Sequence, residues 1–342
     1  MATPIATIGA PAQDGDLAHQ RIAFVIMATV LVIAPFVVYP VFLMKALCFA
    51  LFACAFNLLI GFGGLLSFGH AMFLGTAGYV CAHAAKVGLN LGGFTYLGIQ
   101  IPVFLSLPPF TPELAILFGT FAAALLGVVT GLLAIRRQGI YFAMITLALA
   151  QMLYFFYLQT PFTHGEDGIQ AVPRGKLFGL IDLSSVLAMY FFVLAVFLAG
   201  FLLIYRIIHS PFGQVLKSIR ENEPRAISLG YRADQYKLLA FVLSATLAGL
   251  AGSTKALVFQ LASLTDAHWT MSGEVVLMTL LGGLGTVFGP VVGAFIIVTM
   301  ENYLSELGQW VTITQGVIFV ACVLAFRRGI IGELGHWLKK SL

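Results

Sequence analysis

The sequence predicts an all-α polytopic membrane protein with about eight transmembrane helices and one broken or re-entrant segment. Three observations predict it. Only 9% of the 342 residues are charged, against about 25% in soluble domains, and mean hydropathy is +0.99. Charge-free runs recur along the chain, at 22–44, 46–85, 114–135, 138–165, 183–205, 275–300 and 307–326. Each is about as long as the ~20 residues that cross a hydrocarbon core, or longer. The period-two alternation of a barrel is absent, and lipid offers backbone groups no water partner, so these runs must be helices.

The elements follow in order. The N-terminal residues lack a basic stretch followed by an apolar core, so no cleaved signal peptide is expected and 22–44 serves as an uncleaved signal-anchor. Spans are expected at 22–39, 41–60, 61–85, 114–135, 139–160, 186–206, 237–260 and 311–327. Between them, Arg136–Arg137, Arg327–Arg328, Lys339–Lys340 and the segment 205–238 carry the basic residues. That segment alone holds six of the 18, namely Arg206, Lys217, Arg220, Arg225, Arg232 and Lys237. The positive-inside rule puts these stretches in the cytoplasm. The charge-free 87–112 and the acidic 161–182 then lie outside. Residues 1–21 and 329–342 become cytoplasmic tails around a membrane domain at 22–328. The net charge of +4 reflects topology and does not point to nucleic acid.

Parity makes 273–306 awkward. With both termini inside, it must enter and return on one side; a single crossing would put the basic C-terminus outside. The re-entrant course is preferred because the middle reads GGLGTVFGPVVG, and Gly and Pro weaken a continuous helix by about 1 and 3 kcal/mol per residue. A similar interruption, GGLLSFG, occupies 63–69. One glycine run is ordinarily a packing face. Two similar ones in two halves of a chain suggest a diverged internal duplication. Paired interruptions of this kind mark discontinuous helices that line a solute path near the midplane. The expected pathway residues are Asn57, Gly63, Gly64, Ser67, Gly69, His70, Gly282, Gly283, Gly285, Thr286, Gly289 and Pro290. Among the polar residues within apolar runs, Ser67 and Thr146 can bond their own backbone. Glu274 and Glu301 lie near helix ends, and His70 is read first as a cap of the break.

The segment 210–236 is the most informative. Val215, Leu216, Ile219, Ala226 and Ile227 repeat at helical spacing, with Lys217, Arg220, Glu221 and Arg225 on other faces. Pro224 suits the first turn of a second short helix capped by Asn222 or Glu223, and Gly230 suits its end. Two short helices under the membrane result. The plain alternative is an amphipathic helix on anionic lipid, which the interleaved Glu221 and Glu223 disfavour.

This segment resembles the coupling loop of ABC importer permeases, with Glu223, Ala226 and Gly230 matching its skeleton; Pro224 and Arg225 depart from it. SPFGQVLKSIRENEPRAISLGYRADQYKLLAFVLSATLAGLAG, GGLLSFGHAMFLG, GIYFAMITLALAQ and GGLGTVFGPVVGA together resemble the branched-chain amino acid ABC permease family of the LivM type. They stand in family order from about Asn57 to Gly329, although the tail RRGIIGELGHWLKK lacks the proline-containing ending common in relatives. The resemblance implies a bacterial inner-membrane subunit with coupling residues Gly213, Arg220, Glu221, Asn222, Glu223, Ala226 and Gly230. It implies a second homologous permease of LivH type, two cytoplasmic ATPases that bind ATP and Mg, and a periplasmic binding protein. No cofactor is expected in this subunit; the resemblance implies branched-chain, hydrophobic amino acids as cargo, with urea or another small polar solute as the alternative.

Other classes lack their signatures. There is no HExxH or Walker A loop, so neither metallo-chemistry nor nucleotide hydrolysis is expected. Cys48, Cys54, Cys81 and Cys322 form no CxxC pair and read as small hydrophobes. A secondary transporter would need ionisable groups in mid-membrane and would have no use for the helix pair after Ser210.

Overall fold

The computed structural model describes residues 14–88, 90–91, 95–96, 99–100, 105–106, 108–137, 139–304, 310–326 and 329–337. Residues 1–13 of the expected N-terminal tail lie outside it. So do part of the 87–112 connection, and the basic pairs Arg327–Arg328 and Lys339–Lys340.

The protein is an all-α, multi-pass membrane protein. Among the described residues five helices are long and apolar enough to cross a membrane: Pro40–Phe62, Pro112–Ala134, Ile140–Gln159, Val186–Ile208 and Ala233–Phe259. They agree closely with five of the expected spans. The remaining expected spans are shorter helices, for local reasons. Helix α1 (Asp14–Ile33) passes into a 3₁₀ turn at Ala34–Phe36 where Pro35 removes a donor. The expected span 61–85 loses its first turns to the glycine break and leaves α3 (His70–Lys86, 17 residues). Near the C-terminus lies α12 (Val311–Ala325, 15 residues).

At the centre stands α2 (Pro40–Asn57), which continues through a π turn at Leu58–Phe62. It is flanked by α9 (Ala233–Phe259), against which α3 and α4 (Pro112–Ala134) pack. Small residues recur on α4 at Ala115, Gly119, Ala123, Gly127 and Gly131, one per turn, and all are buried. A Cβ on Gly127 would stand 2.7 Å from that of Ala245. This ridge lets α4 and α9 approach closely where no water is available to drive association. The opposite face of α4 exposes Leu117, Phe121, Leu125, Val129 and Leu132, as a lipid-facing stripe would. Next in order come α5 (Ile140–Gln159) and α6 (Val186–Ile208), then α7 (Pro211–Glu221) and α8 (Glu223–Ser228).

Residues 269–304 fold back on themselves. Helix α10 (Trp269–Gly282) and α11 (Gly289–Leu304) pack on each other as the arms of a hairpin. Its open ends meet where Glu274 reaches Glu301. Its tip, 283–288, lies beside Gly61. The α2–α3 connection carries its own break at 64–69, and α9 packs on both of these helices. The tip of the hairpin therefore lies against the end of α2 that leads into the first break.

Their depth differs from expectation. The helix that starts at Pro40 runs 23 residues, about 34 Å, before the first break. That is already a full hydrocarbon thickness of about 30 Å. The breaks lie not at mid-depth but at the end of the bundle that carries α7.

Candidate functional site

The two glycine breaks and α7 converge on one junction. Asn57, 3% exposed, spends both ends of its amide on the far hairpin. Its Nδ2 donates to the Thr286 carbonyl at 2.8 Å, and its Oδ1 accepts from the Gly285 amide at 3.0 Å. A buried amide satisfied this way holds two backbones in fixed register, because losing either bond strands a polar group out of water. One turn on, Gly61 touches the same strand of backbone. A Cβ there would stand 2.7 Å from the Gly285 nitrogen and would also run into the Asn57 side chain.

From below, the Arg220 guanidinium of α7 donates to the Gly61 carbonyl oxygen. Its aliphatic stem lies under Gly64, which has φ +70° and would place a Cβ 2.9 Å from Arg220 Cγ. Both the left-handed conformation and the contact exclude other residues. Gly63 rests above Leu216, which is fully buried. Lys217 sits 5.5 Å from the Phe62 ring centroid. Partial burial lowers its ammonium pKa, an effect that neighbouring Glu221 opposes.

The rest of each break is tied locally. Thr286 Oγ1 donates to the Gly283 carbonyl at 2.8 Å and accepts from the Gly289 amide at 3.1 Å, capping α11 ahead of buried Pro290. A Cβ on Gly282 would run into the Gly289 carbonyl. In the first break, Ser67 is fully buried and accepts from the Gly69 amide at 3.2 Å. The Phe68 amide donates to Thr146 Oγ1, and the Ala71 amide to Ser272 Oγ. His70 is fully buried, bonded at 2.8 Å to Ser244 Oγ and ringed by Phe56, Phe73 and Phe241. Gly64, Gly285 and Thr286 are thus the partly open members of the expected pathway set, whereas Ser67, Gly69 and His70 face protein.

The α7–α8 corner follows from its caps. Ser210 accepts from the Gly213 amide and opens α7; a Cβ on Gly213 would strike the last carbonyls of α6. Asn222 takes an extended conformation and accepts from the Arg225 amide at 3.1 Å, so it is the cap of α8. At its far end the Gly230 amide bonds the Ile227 carbonyl, and the Tyr231 amide bonds that of Ala226. That reciprocal pair, with Gly230 at φ +90°, is a Schellman end.

Ile219, Ala226 and Ala233 form a small separate core under this corner. Ile227 is 55% exposed, against the expectation that it shares that face. The extended Asn222 resets the helical phase between Ile219 and Ala226, so spacing counted across it misassigns Ile227. Glu223 also lies differently from a docking charge. Its Oε1 meets Lys237 Nζ at 2.5 Å, with Lys237 only 5% exposed. What is exposed at this corner is Arg220, Glu221, Asn222, Pro224, Arg225, Ile227, Ser228, Leu229, Gly230 and Tyr231.

Sequence reasoning missed Gly61, and missed that Arg220, although exposed, bonds the Gly61 carbonyl. The available signal for Gly61 was its place one turn after a buried Asn; nothing local marked a bond between positions 159 apart.

The chain matches, over residues 40–326, the family model described as the permease component of the branched-chain amino acid transport system. It is 25% identical to the high-affinity branched-chain amino acid transport system permease protein LivM of Escherichia coli, over 94% of this chain and 77% of that protein. It is 25% identical to the ribose import permease protein RbsC of Bacillus subtilis, over 79% of this chain and 82% of the relative. It is 27% identical to the probable branched-chain amino acid transport permease protein LivH of Methanocaldococcus jannaschii, over 48% of this chain and 54% of that one. No solved structure matches it. A helical bundle in which two glycine breaks meet beside α7, together with a family match across most of its length, leads to one assignment: the chain belongs to the branched-chain amino acid transport system permease family.

Proposed function

We propose that the chain is the membrane-spanning permease subunit of an ABC importer in a bacterial inner membrane, carrying branched-chain amino acids. A second permease of LivH type pairs with it. A periplasmic binding protein delivers the solute, and two cytoplasmic ATPases bind the ATP and Mg, so this subunit performs no catalysis and holds no cofactor. The observation that supports this reading is the α7–α8 corner. It presents Ile227 and Leu229, 55% and 70% exposed, and bonds Arg220, itself exposed, to the Gly61 carbonyl at the junction.

The mechanism follows from that connection. An ATPase that grips Ile227 and Leu229 moves α7 as a rigid piece, because Ser210, Asn222 and the Glu223–Lys237 pair fix its ends. Arg220 carries the displacement to the Gly61 carbonyl, and the Asn57 amide carries it on to Gly285 and Thr286. Both breaks then shift together, and the passage beside Gly64 and Thr286 opens or closes.

The test is reconstitution of the complex with each subunit omitted in turn. Leucine uptake and ATP hydrolysis stimulated by the loaded binding protein should both require this chain. ATPase-independent uptake driven by an ion gradient would overturn the reading. A neutral-solute cargo is the second reading, because identity to the ribose import permease equals that to LivM.

A further inference from the structure

Opposite the α7 junction, charged side chains from separate elements gather around one aromatic ring. Lys45 of α2 pairs with Glu301 of α11 at 3.0 Å. Lys255 of α9 pairs with Asp266, in the short turn before α10. Both ammonium groups lie over the Phe49 ring, 5.9 and 5.0 Å from its centroid. Glu274 of α10 lies beside Glu301 and within electrostatic reach of both lysines, yet it makes no ion pair of its own among the described residues.

Charges so placed are costly in a membrane protein and default to a functional reading. Two features go beyond a staple between helices. First, two ammonium groups face three carboxyl groups. Adjacent carboxyls are balanced by one shared proton or by one cation, and a cation between Glu274 and Glu301 would offset the excess carboxyl. Second, Tyr79 is 1% exposed, and its hydroxyl has no hydrogen-bond partner among the described residues. It lies within electrostatic reach of Asp266. A buried hydroxyl without a partner is rare and asks for one. The charged side chains themselves stay partly exposed, from 14% to 33% for the two ion pairs.

We propose that this cluster is a binding station for a zwitterion at the mouth of the route. The ammonium of the solute sits between Glu274 and Glu301, offsetting the excess carboxyl. Its carboxylate takes Lys45 and Lys255. A sugar needs neither partner. The station rests on the amino-acid reading above and names the chemistry that would separate such a cargo from a neutral one.

The experiment uses the assembled permease–ATPase complex in nanodiscs without binding protein. Ligand-observed NMR titrations would compare leucine, 4-methylpentanoate (no ammonium), 3-methylbutylamine (no carboxylate) and ribose. Leucine should bind at least about tenfold more tightly than either half-analogue, each lacking one charge-assisted contact. Ribose should not bind. Glu274→Gln should weaken leucine about tenfold and leave 4-methylpentanoate unchanged, whereas Lys45→Met should weaken both. A structural staple would lower the melting temperature in these variants without changing the order of affinities. Equal binding of all probes, or none by leucine, overturns the station. If the native complex with its binding protein still imports leucine in that case, the proposed function stands alone. If it imports no amino acid, that function falls as well.

Discussion

The Arg220 guanidinium of α7 bonds the carbonyl oxygen of Gly61, the residue whose lack of a side chain lets α2 touch the backbone of Gly285. One side chain thus ties the helix beneath the bundle to the point where the two glycine breaks meet. Replacing it tests whether that tie transmits force.

Arg220→Gln keeps most of the stem under Gly64 but removes the charged donor. A hydrogen bond to a charged group contributes about 1.5–3 kcal/mol. Solute moved per ATP hydrolysed should therefore fall roughly tenfold or more. ATPase association should persist, because the outward face of α8 is unchanged. Co-purification together with coupled uptake and hydrolysis measurements in proteoliposomes would check both. Loss of ATPase association instead would place Arg220 in the docking surface.

Docking itself should be disrupted by Ile227→Asp combined with Leu229→Asp. Both side chains are largely exposed. An apolar anchor at an interface can carry 2 kcal/mol or more, about thirtyfold in affinity. Co-purification with the ATPases should drop sharply, while the melting temperature of the solubilised permease stays within a degree or two. Unchanged association would move the docking surface elsewhere.

The charge of Glu223 belongs to stability. Its partner Lys237 is buried, and removing one member of a buried pair leaves the other unpaired at a cost of about 3–5 kcal/mol. With Glu223 still 19% exposed, solvent screening reduces that to roughly 1–3 kcal/mol. Glu223→Arg should lower the melting temperature by several degrees, and Glu223→Gln with Lys237→Met should recover much of the loss. A thermal melt in detergent of the two variants decides it. A combined reversal of Arg220 and Glu223 would confuse this effect with docking and should be avoided.

How much could be read from sequence depended on the range of the interaction. Helical spans follow from charge-free runs of local sequence, and so do the α7–α8 caps: Asn222, Pro224 and Gly230 each act within four residues. The two breaks were legible as glycine runs. Their depth was not, because it depends on where α2 begins, at Pro40, and on what lies beneath its far end. The bonds from Asn57 to Thr286 and from Arg220 to Gly61 join positions more than 150 apart, and no periodicity encodes such partners. Glu274 and Glu301 read as separate helix-end acids until the hairpin brought them together. Ile227 was misplaced because a helical count was carried across an extended residue.

The last prediction concerns the junction and what passes it. Gly61→Ala adds only one methyl, but that methyl would stand 2.7 Å from the Gly285 nitrogen and run into the Asn57 amide. Neither neighbour can yield without breaking a buried hydrogen bond, so α2 and the hairpin tip must separate by several tenths of an ångström. Uptake should fall about fivefold or more, from the loss of about 1–3 kcal/mol at the stranded amide, while membrane insertion and pairing persist. Gly64→Leu should act alike through the Arg220 stem and its left-handed φ, and Gly283→Leu should block uptake as well. A cysteine at Thr286, which is partly exposed, should react with a small water-soluble thiol reagent once the native cysteines are removed; one at fully buried Ser67 should not. Trapping the ATPases with a non-hydrolysable nucleotide should change the rate at 286, since that position lies on the moving tip of the α10–α11 hairpin. If Gly61→Ala transports normally and the rate at 286 is the same in every nucleotide state, the junction is a static packing contact and force reaches the route by another path.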